Sequence, residues 1–355
     1  MKTFFKILLS IVVAFVFYFV GVIIYATITK HQPEPLEKVE VMQYSENKLD
    51  KDTLSLLIWN IGYAGLGDNM DFFYDSGTKV RDTEKRTIEN LEAISQFLRE
   101  KAPETDFIML QEVDFNSKRS YGINQYLALD KELSPFGYNS TKATNYKVSF
   151  VPMPIFEPLG KTDAGLATFS KYQFNEASRV ALPNIGSSWP DNLFLLERCL
   201  LVKRFSLENK KELVLINVHN SAYAGKEKKD AEMNFIKEFV EQEYEKGNYI
   251  IMGGDWNQVP PGVDILMWAN NYEKEDIYAN NLTFDLFDER FLYAYDPDHS
   301  TNRSLRKPFL AKDTYQCLID FYLISDNITA LEIETIDLNF KYSDHQPVYL
   351  KVKLN

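Results

Sequence analysis

From Ile7 to Thr29 no side chain carries a charge, and no other stretch limits the fold as strongly. A run of about 23 residues, at about 1.5 Å per residue, is long enough to cross the hydrocarbon layer of a bilayer as a helix. It is apolar on every face, whereas a core helix of a water-soluble domain keeps a polar stripe. Lys2, Lys6 and the amino terminus precede it, and only Lys30 follows closely before acidic residues begin. The positive-inside rule therefore predicts a short cytoplasmic segment at 1–6, a transmembrane helix at 7–29 and export of everything beyond. A cleaved signal peptide is the competing reading. Its apolar region usually spans only about 7–15 residues, and Tyr25-Ala26-Thr27 is a poor cleavage site.

The remainder of the 355-residue chain, 45% hydrophobic overall, suits one large globular domain. Residues 30–52, KHQPEPLEKVEVMQYSENKLDKD, are polar with two prolines and predict a linker or stalk ahead of a domain at 53–355. Within that domain short apolar runs alternate with helical patterns such as Ile88, Leu91, Ile94 and Leu98, an α/β arrangement. Cys199 and Cys317 lie in apolar runs and read as two buried free thiols. With 51 acidic against 39 basic side chains the net charge is −12, which on average repels nucleic acid and anionic lipid and favours cations. A local basic patch or a bound metal can reverse that field inside a cleft. Two stretches, Gly62–Val80 and residues 265–315, resist assignment and read as either cleft-covering loops or surface insertions.

Several short motifs share one design, an apolar strand followed by a polar residue at its tip. LLIWN ends at Asn60, FIMLQEVD contains Glu112, LINVHN contains His219 and Asn220, IIMGGDWNQVP contains Asp255 and Asn257, and YSDHQP contains Asp344 and His345. LIDFYLIS places Asp320 inside an apolar strand, where an ionised carboxylate needs a partner. Taken singly each has a bland explanation as a turn, a strand-end charge or a structural histidine. Together they meet the demands of phosphoester hydrolysis. A hard cation, Mg²⁺ or alternatively Mn²⁺, must neutralise the phosphate, and Glu112, Asn60 and Asp344 supply oxygen ligands for it. A water must be oriented and relieved of a proton, a task for Asp255 and Asn257. The crowded oxyanion needs donors, for which protonated His219 and His345 are candidates, with Asp320 fixing His345.

The combined pattern resembles the endonuclease/exonuclease/phosphatase superfamily, whose members include deoxyribonuclease I, apurinic exonucleases, inositol polyphosphate 5-phosphatases and neutral sphingomyelinases. The resemblance spans residues 53–355 and implies a four-layer α/β sandwich, two packed mixed β-sheets flanked by helices. It implies metal-side roles for Asn60 and Glu112 and a nucleophile-orienting pair in Asp255 and Asn257. It further implies a phosphate-contacting His219, Asp320 as partner of a histidine, and a terminal Asp344-His345 pair. There are departures: Trp256 replaces the usual Phe, Asn220 follows His219 where Leu or Thr is commoner, and Asp114 stands where deoxyribonuclease I has an arginine. Arg119, Tyr121, Asn220 and Arg303 are the candidate substrate contacts. The expected substrate is a small phosphoester, a phospholipid head group or nucleic acid. The alternatives are an extracellular metal-dependent endonuclease acting on DNA and, in another class, a catalytically silent membrane-tethered binding protein. No protein partner is implied, and a monomer is expected.

Overall fold

A computed structural model describes residues 1–222, 225–268, 277 and 280–355. The opening apolar run forms α1 (Lys2–Ile28), whose best 18-residue window has a mean hydropathy of 3.0 and is only 6% buried, so it is long and apolar enough to cross a membrane. Two short strands follow, β1 (Leu36–Lys38) and β2 (Val41–Met42). Next come β3 (Thr53–Asn60), α2 (Glu84–Lys101), β4 (Phe107–Asp114), α3 (Gln125–Leu133), β5 (Asn139–Val151) and β6 (Gly160–Ser170). The second half runs β7 (Glu176–Ala181), β8 (Cys199–Ser206), β9 (Glu212–His219), α4 (Lys226–Glu245) and β10 (Tyr249–Asp255). It ends with β11 (Phe291–Ala294), β12 (Asn302–Arg303), β13 (Gln316–Cys317), β14 (Asp320–Ser325), β15 (Ile328–Thr335) and β16 (Val348–Leu354).

These strands build two seven-stranded mixed sheets, ordered β15-β16-β3-β4-β6-β5-β2 and β1-β7-β8-β9-β10-β14-β11, while β12 and β13 pair as a separate ribbon. Each sheet holds one parallel pair joined by a helix: β3 and β4 through α2, β9 and β10 through α4. The central strands are continuously apolar because both faces are covered. Along β3, Leu54, Leu56 and Ile58 enter the layer between the sheets with Leu215, Ile251 and Ile324. The alternating Leu57 and Trp59 face Ile94 and Leu98 of α2 and Leu129 of α3. On the far side, Ile216 and Met252 meet Met233, Ile236 and Val240 of α4. Full burial of each such side chain contributes about 1.5–3 kcal/mol. The result is the four-layer sandwich that the family resemblance implies. Both cysteines are buried and free.

The 30–52 segment differs from a plain stalk. Leu36 pairs with Val180 at the edge of one sheet, and Val41 pairs with Thr141 at the edge of the other. The side chains of β1 and β2 stay exposed or half-buried, so backbone hydrogen bonds recruit them without an apolar pattern. In the 62–80 stretch, Tyr63, Leu66 and Met70 form a small buried cluster with Leu305. Within 265–315, residues 269–276 and 278–279 lie outside the described residues.

Parallel and antiparallel pairing brings the polar tips to one edge of the sandwich. Asp255 ends β10 in register with His219, which ends β9, and with Asp320, which starts β14. Asn60 ends β3 opposite Gln111, one residue before Glu112. The 343–346 segment leads into β16, which runs antiparallel to β3.

Candidate active site

Local backbone geometry aims several of these side chains. Pairing of β4 with β6 shifts register between Leu110 and Val113, and Glu112 at that irregularity has φ +53°. Such a bulge breaks the alternation of a strand and redirects one side chain. Asn257 has φ +52°, and its backbone N–H donates to Asp255 Oδ1 at 2.9 Å. At Gly254, φ is +143° and a Cβ would lie 2.1 Å from the Val218 carbonyl oxygen. Only glycine therefore lets β10 close onto β9 here, which sets Asp255 beside His219.

Asn60 joins the two sheets. Its amide donates to Asp255 Oδ2 at 2.9 Å and reaches Glu112 Oε1 at 3.4 Å, while its Oδ1 accepts from Gly62 N at 3.0 Å. His219 Nε2 lies 3.3 Å from Asp255 Oδ2 and 3.9 Å from Glu112 Oε1. His345 Nδ1 meets Asp320 Oδ2 at 2.8 Å, and its Nε2 lies 3.7 Å from Asp255 Oδ2 and 3.9 Å from Asp344 Oδ2. The Asn302 side-chain amide packs against that Nε2 at 2.8 Å. Asn257 Nδ2 donates to the Asn220 carbonyl at 2.9 Å. Asp320 Oδ1 is buried without a hydrogen-bond partner among the described residues.

The two histidines are in opposite states. Burial works against a charge on His345, but Asp320, Asp255 and Asp344 outweigh it and push its pKa up to about 10. Burial holds His219 neutral, well below its ordinary value, and the charges of Arg198, His345 and Arg119 reinforce this. Burial raises Asp255 to about 6, with His345 opposing and Asp320 adding to the rise. Asp344 is raised to about 6 by burial, with His345 opposing it and the nearby Glu112 charge adding to it. Two carboxylates that resist sharing one pocket form a donor set suited to a divalent cation. Asp255, Asp320 and His345 also lie close enough to share an ion. The His345 ring, however, is held cationic against Asp320, and a protonated ring nitrogen has no lone pair to give.

A cavity of about 1140 Å³ opens over these groups, lined among others by Glu112, His219, Asp255, Asn257, Asp344 and His345. It also contains two residues that sequence reasoning missed. Arg198 is buried at the cavity wall, and its Nη1 has no hydrogen-bond partner among the described residues. Asp75, from the 62–80 stretch, is raised to about 7 by burial, then by Asp344 and Glu112, against Arg303.

The four candidate substrate contacts are placed differently. Arg119 reaches the cavity, but its guanidinium pairs with Asp114 at 2.9 Å and stacks over the Tyr63 ring at 3.7 Å. Arg303 is buried and donates to the carbonyls of Gly67 at 2.7 Å and Ser304 at 3.1 Å, which holds the 62–80 stretch. Tyr121 donates its hydroxyl to the Asp82 carbonyl at 2.6 Å and does not line the cavity. The Asn220 amide turns to Met233 Sδ at 3.4 Å, away from the cavity lining. Each is engaged by the protein itself, because the polar groups of its own loops claim it first.

Residues 57–345 match the model of the Endonuclease/Exonuclease/phosphatase family. No curated protein matches the sequence. Among solved structures, an endonuclease/exonuclease/phosphatase from Beutenbergia cavernae DSM 12333 is similar at TM-score 0.57 and 16% identity, covering 86% of this chain and 72% of that one. One from Bacteroides vulgatus is similar at TM-score 0.53 and 17% identity, covering 86% of this chain and 100% of that one. ANGEL2, described as a 2',3'-cyclic phosphatase, is similar at TM-score 0.52 and 17% identity, covering 91% of this chain and 99% of that one. At these identities the structural likeness shows the fold.

Proposed function

The chain belongs to the endonuclease/exonuclease/phosphatase family, and from that membership we propose that it is a Mg²⁺-dependent hydrolase of phosphoester bonds held at a membrane by α1. The observation that carries this reading is the Asn60 amide, which ties the Glu112 side of the cleft to Asp255 beside a cavity lined by Glu112, His219, Asp255, Asn257, Asp344 and His345. Glu112 and Asp344 would hold the cation, and the Asn60 amide, whose oxygen accepts from Gly62 N, orients Glu112. When bound, the cation would neutralise charge on the phosphate.

The side chains of this protein do the rest. Asp255, raised by burial to about 6, accepts a proton from water, and the Asn60 amide and Asn257 backbone fix its orientation. The water oxygen bonds to phosphorus as the bond to the leaving alcohol oxygen breaks, and that oxygen takes up the proton. The Arg198 guanidinium offers a charged donor to phosphate oxygens and neutral His219 a neutral one, beside the positive charge of the His345 imidazolium. The substrate class at this level is a phosphoester. A DNA-cutting role draws no support from Arg119 and Arg303, whose donors serve Asp114 and backbone carbonyls.

The test is hydrolysis of bis(p-nitrophenyl) phosphate by the full chain in detergent, with Mg²⁺, Mn²⁺ or chelator. We expect chelator to stop turnover and Mg²⁺ to restore it. Asp255→Asn should lower turnover by about 10²-fold or more while leaving the melting temperature near that of wild type. Wild-type turnover in that variant would sink the assignment. Digestion of the exported domain by protease added to sealed cells, and recovery of the uncleaved chain in membranes, tests the single-pass topology with the N-terminus in the cytoplasm.

A further inference from the structure

The wall of the cleft is shared between the catalytic domain and the apolar helix. Phe19, Val22 and Ile23 of α1 line the same cavity as Asp255 and His345. The C-terminal half of α1 lies against β5 and the turn Asp191–Leu193. This placement is tied down. Lys30 pairs with Glu197 at 3.9 Å, and β1 and β2 pair with the edges of both sheets. Only residues 29–35 separate α1 from β1, at most roughly 25 Å of extended chain. Phe19 precedes the end of α1 at Ile28 by roughly 14 Å of helix, against an apolar layer of about 30 Å. The 27 residues of α1 measure roughly 40 Å, so its last turns, with Val22 and Ile23, reach the surface of that layer and set the cleft mouth beside it.

The loops at that position are dressed for lipid. Between β5 and β6, Phe156 is fully exposed (101%), with Met153 and Ile155 exposed beside it. Between β7 and β8, Trp189 is 63% exposed, flanked by Ile185 and Leu195. Exposed apolar clusters of this kind mark interaction surfaces, and tryptophan favours the membrane–water interface. With a net charge of −12 the chain as a whole is not drawn to anionic lipid. Adhesion at this rim is hydrophobic.

We propose that the mouth of the cleft docks on the leaflet adjoining the domain and that the substrate is a lipid-borne phosphoester drawn from it, its phosphate passing Arg198 to reach Asp255. This rests on the phosphoester-hydrolase reading above. The chemistry is unchanged: water adds to phosphorus, the bond to the leaving alcohol oxygen breaks, and that oxygen keeps one water proton.

Two measurements test it. The full chain is reconstituted in vesicles of phosphatidylcholine mixed with sphingomyelin and phosphatidylglycerol, and phosphorus released to the aqueous phase is followed beside turnover of bis(p-nitrophenyl) phosphate. Phe156→Ser with Trp189→Ser should cut release from vesicles by about tenfold, by unseating the cleft mouth from the leaflet, and leave the soluble diester within about twofold. Absence of release by a wild type that hydrolyses the soluble diester, or equal release by the variant, overturns the lipid proposal. Inactivity of wild type on the soluble diester instead defeats the hydrolase reading. Independently of activity, the emission lost on Trp189→Phe should be quenched by brominated phosphatidylcholine and spared by aqueous iodide. The reverse pattern overturns insertion of the rim.

Discussion

At His345 three carboxylates outweigh the cost of burying a charge, and Asp320 contributes both the contact at 2.8 Å and the largest attraction. Asp320→Asn keeps the shape and removes that attraction, so we expect turnover to fall by about 10²-fold and the alkaline limb of the rate profile to move to lower pH. A steady-state pH profile checks both. The effect on stability has a fixed sign. A histidine whose folded pKa lies near 10, above about 6.5 when unfolded, adds stability that is fully present below pH 6.5 and is lost as pH rises through 10. Melting of the chelated protein should show a shallower alkaline decline in the variant. This pair was legible in the sequence, because a carboxylate inside LIDFYLIS demands a partner and YSDHQP supplies a histidine. Arg198 and Asp75 were not. An arginine just ahead of an apolar strand reads as a solvated charge, and only the packing of the second sheet and of the 62–80 stretch shows that both face the cleft.

At the scale of elements, α4 is tied to the neighbouring strand by charge as well as by its apolar stripe. Glu243 receives both arms of Arg204 of β8, at 2.7 and 2.8 Å, with Lys246 at 2.7 Å and Asn248 at 3.0 Å. Burial alone would raise this carboxyl, but the donors led by Arg204 bring it down to about 2. Because the folded value lies below the unfolded one, the contribution is present above about pH 4.5 and is lost as pH falls toward 2. Glu243→Gln should therefore lower the melting temperature at pH 7 and make little difference near pH 2, which calorimetry across that range measures. The central strands and α2 were readable because burial on two faces leaves an unbroken apolar run and burial on one leaves a helical stripe. β1 and β2 left no such trace. Each is only two or three residues at a sheet edge, and its register is set by the strand that receives it.

For the molecule as a whole, the placement of residues 36–42 decides how the domain behaves without α1. A chain beginning at Lys51 lacks β1 and β2 and leaves the outer edges of β7 and β5 unpaired, and bare edges invite association with other chains. We expect it to melt below a chain beginning at Lys30, by roughly 2–4 °C for each kcal/mol of pairing lost, and to aggregate sooner. Scanning calorimetry with light scattering on the two truncations decides this. The Asn60 amide has a further consequence. It belongs to one sheet, Asp255 belongs to the other, and neither Glu112 nor His219 finds its neighbours until the two faces have closed. A half-assembled chain thus has no working blade. Competence to cut arrives only with the finished sandwich, so on the membrane-held, lipid-cleaving reading proposed above the chain is inert toward the bilayer it crosses while it is being made.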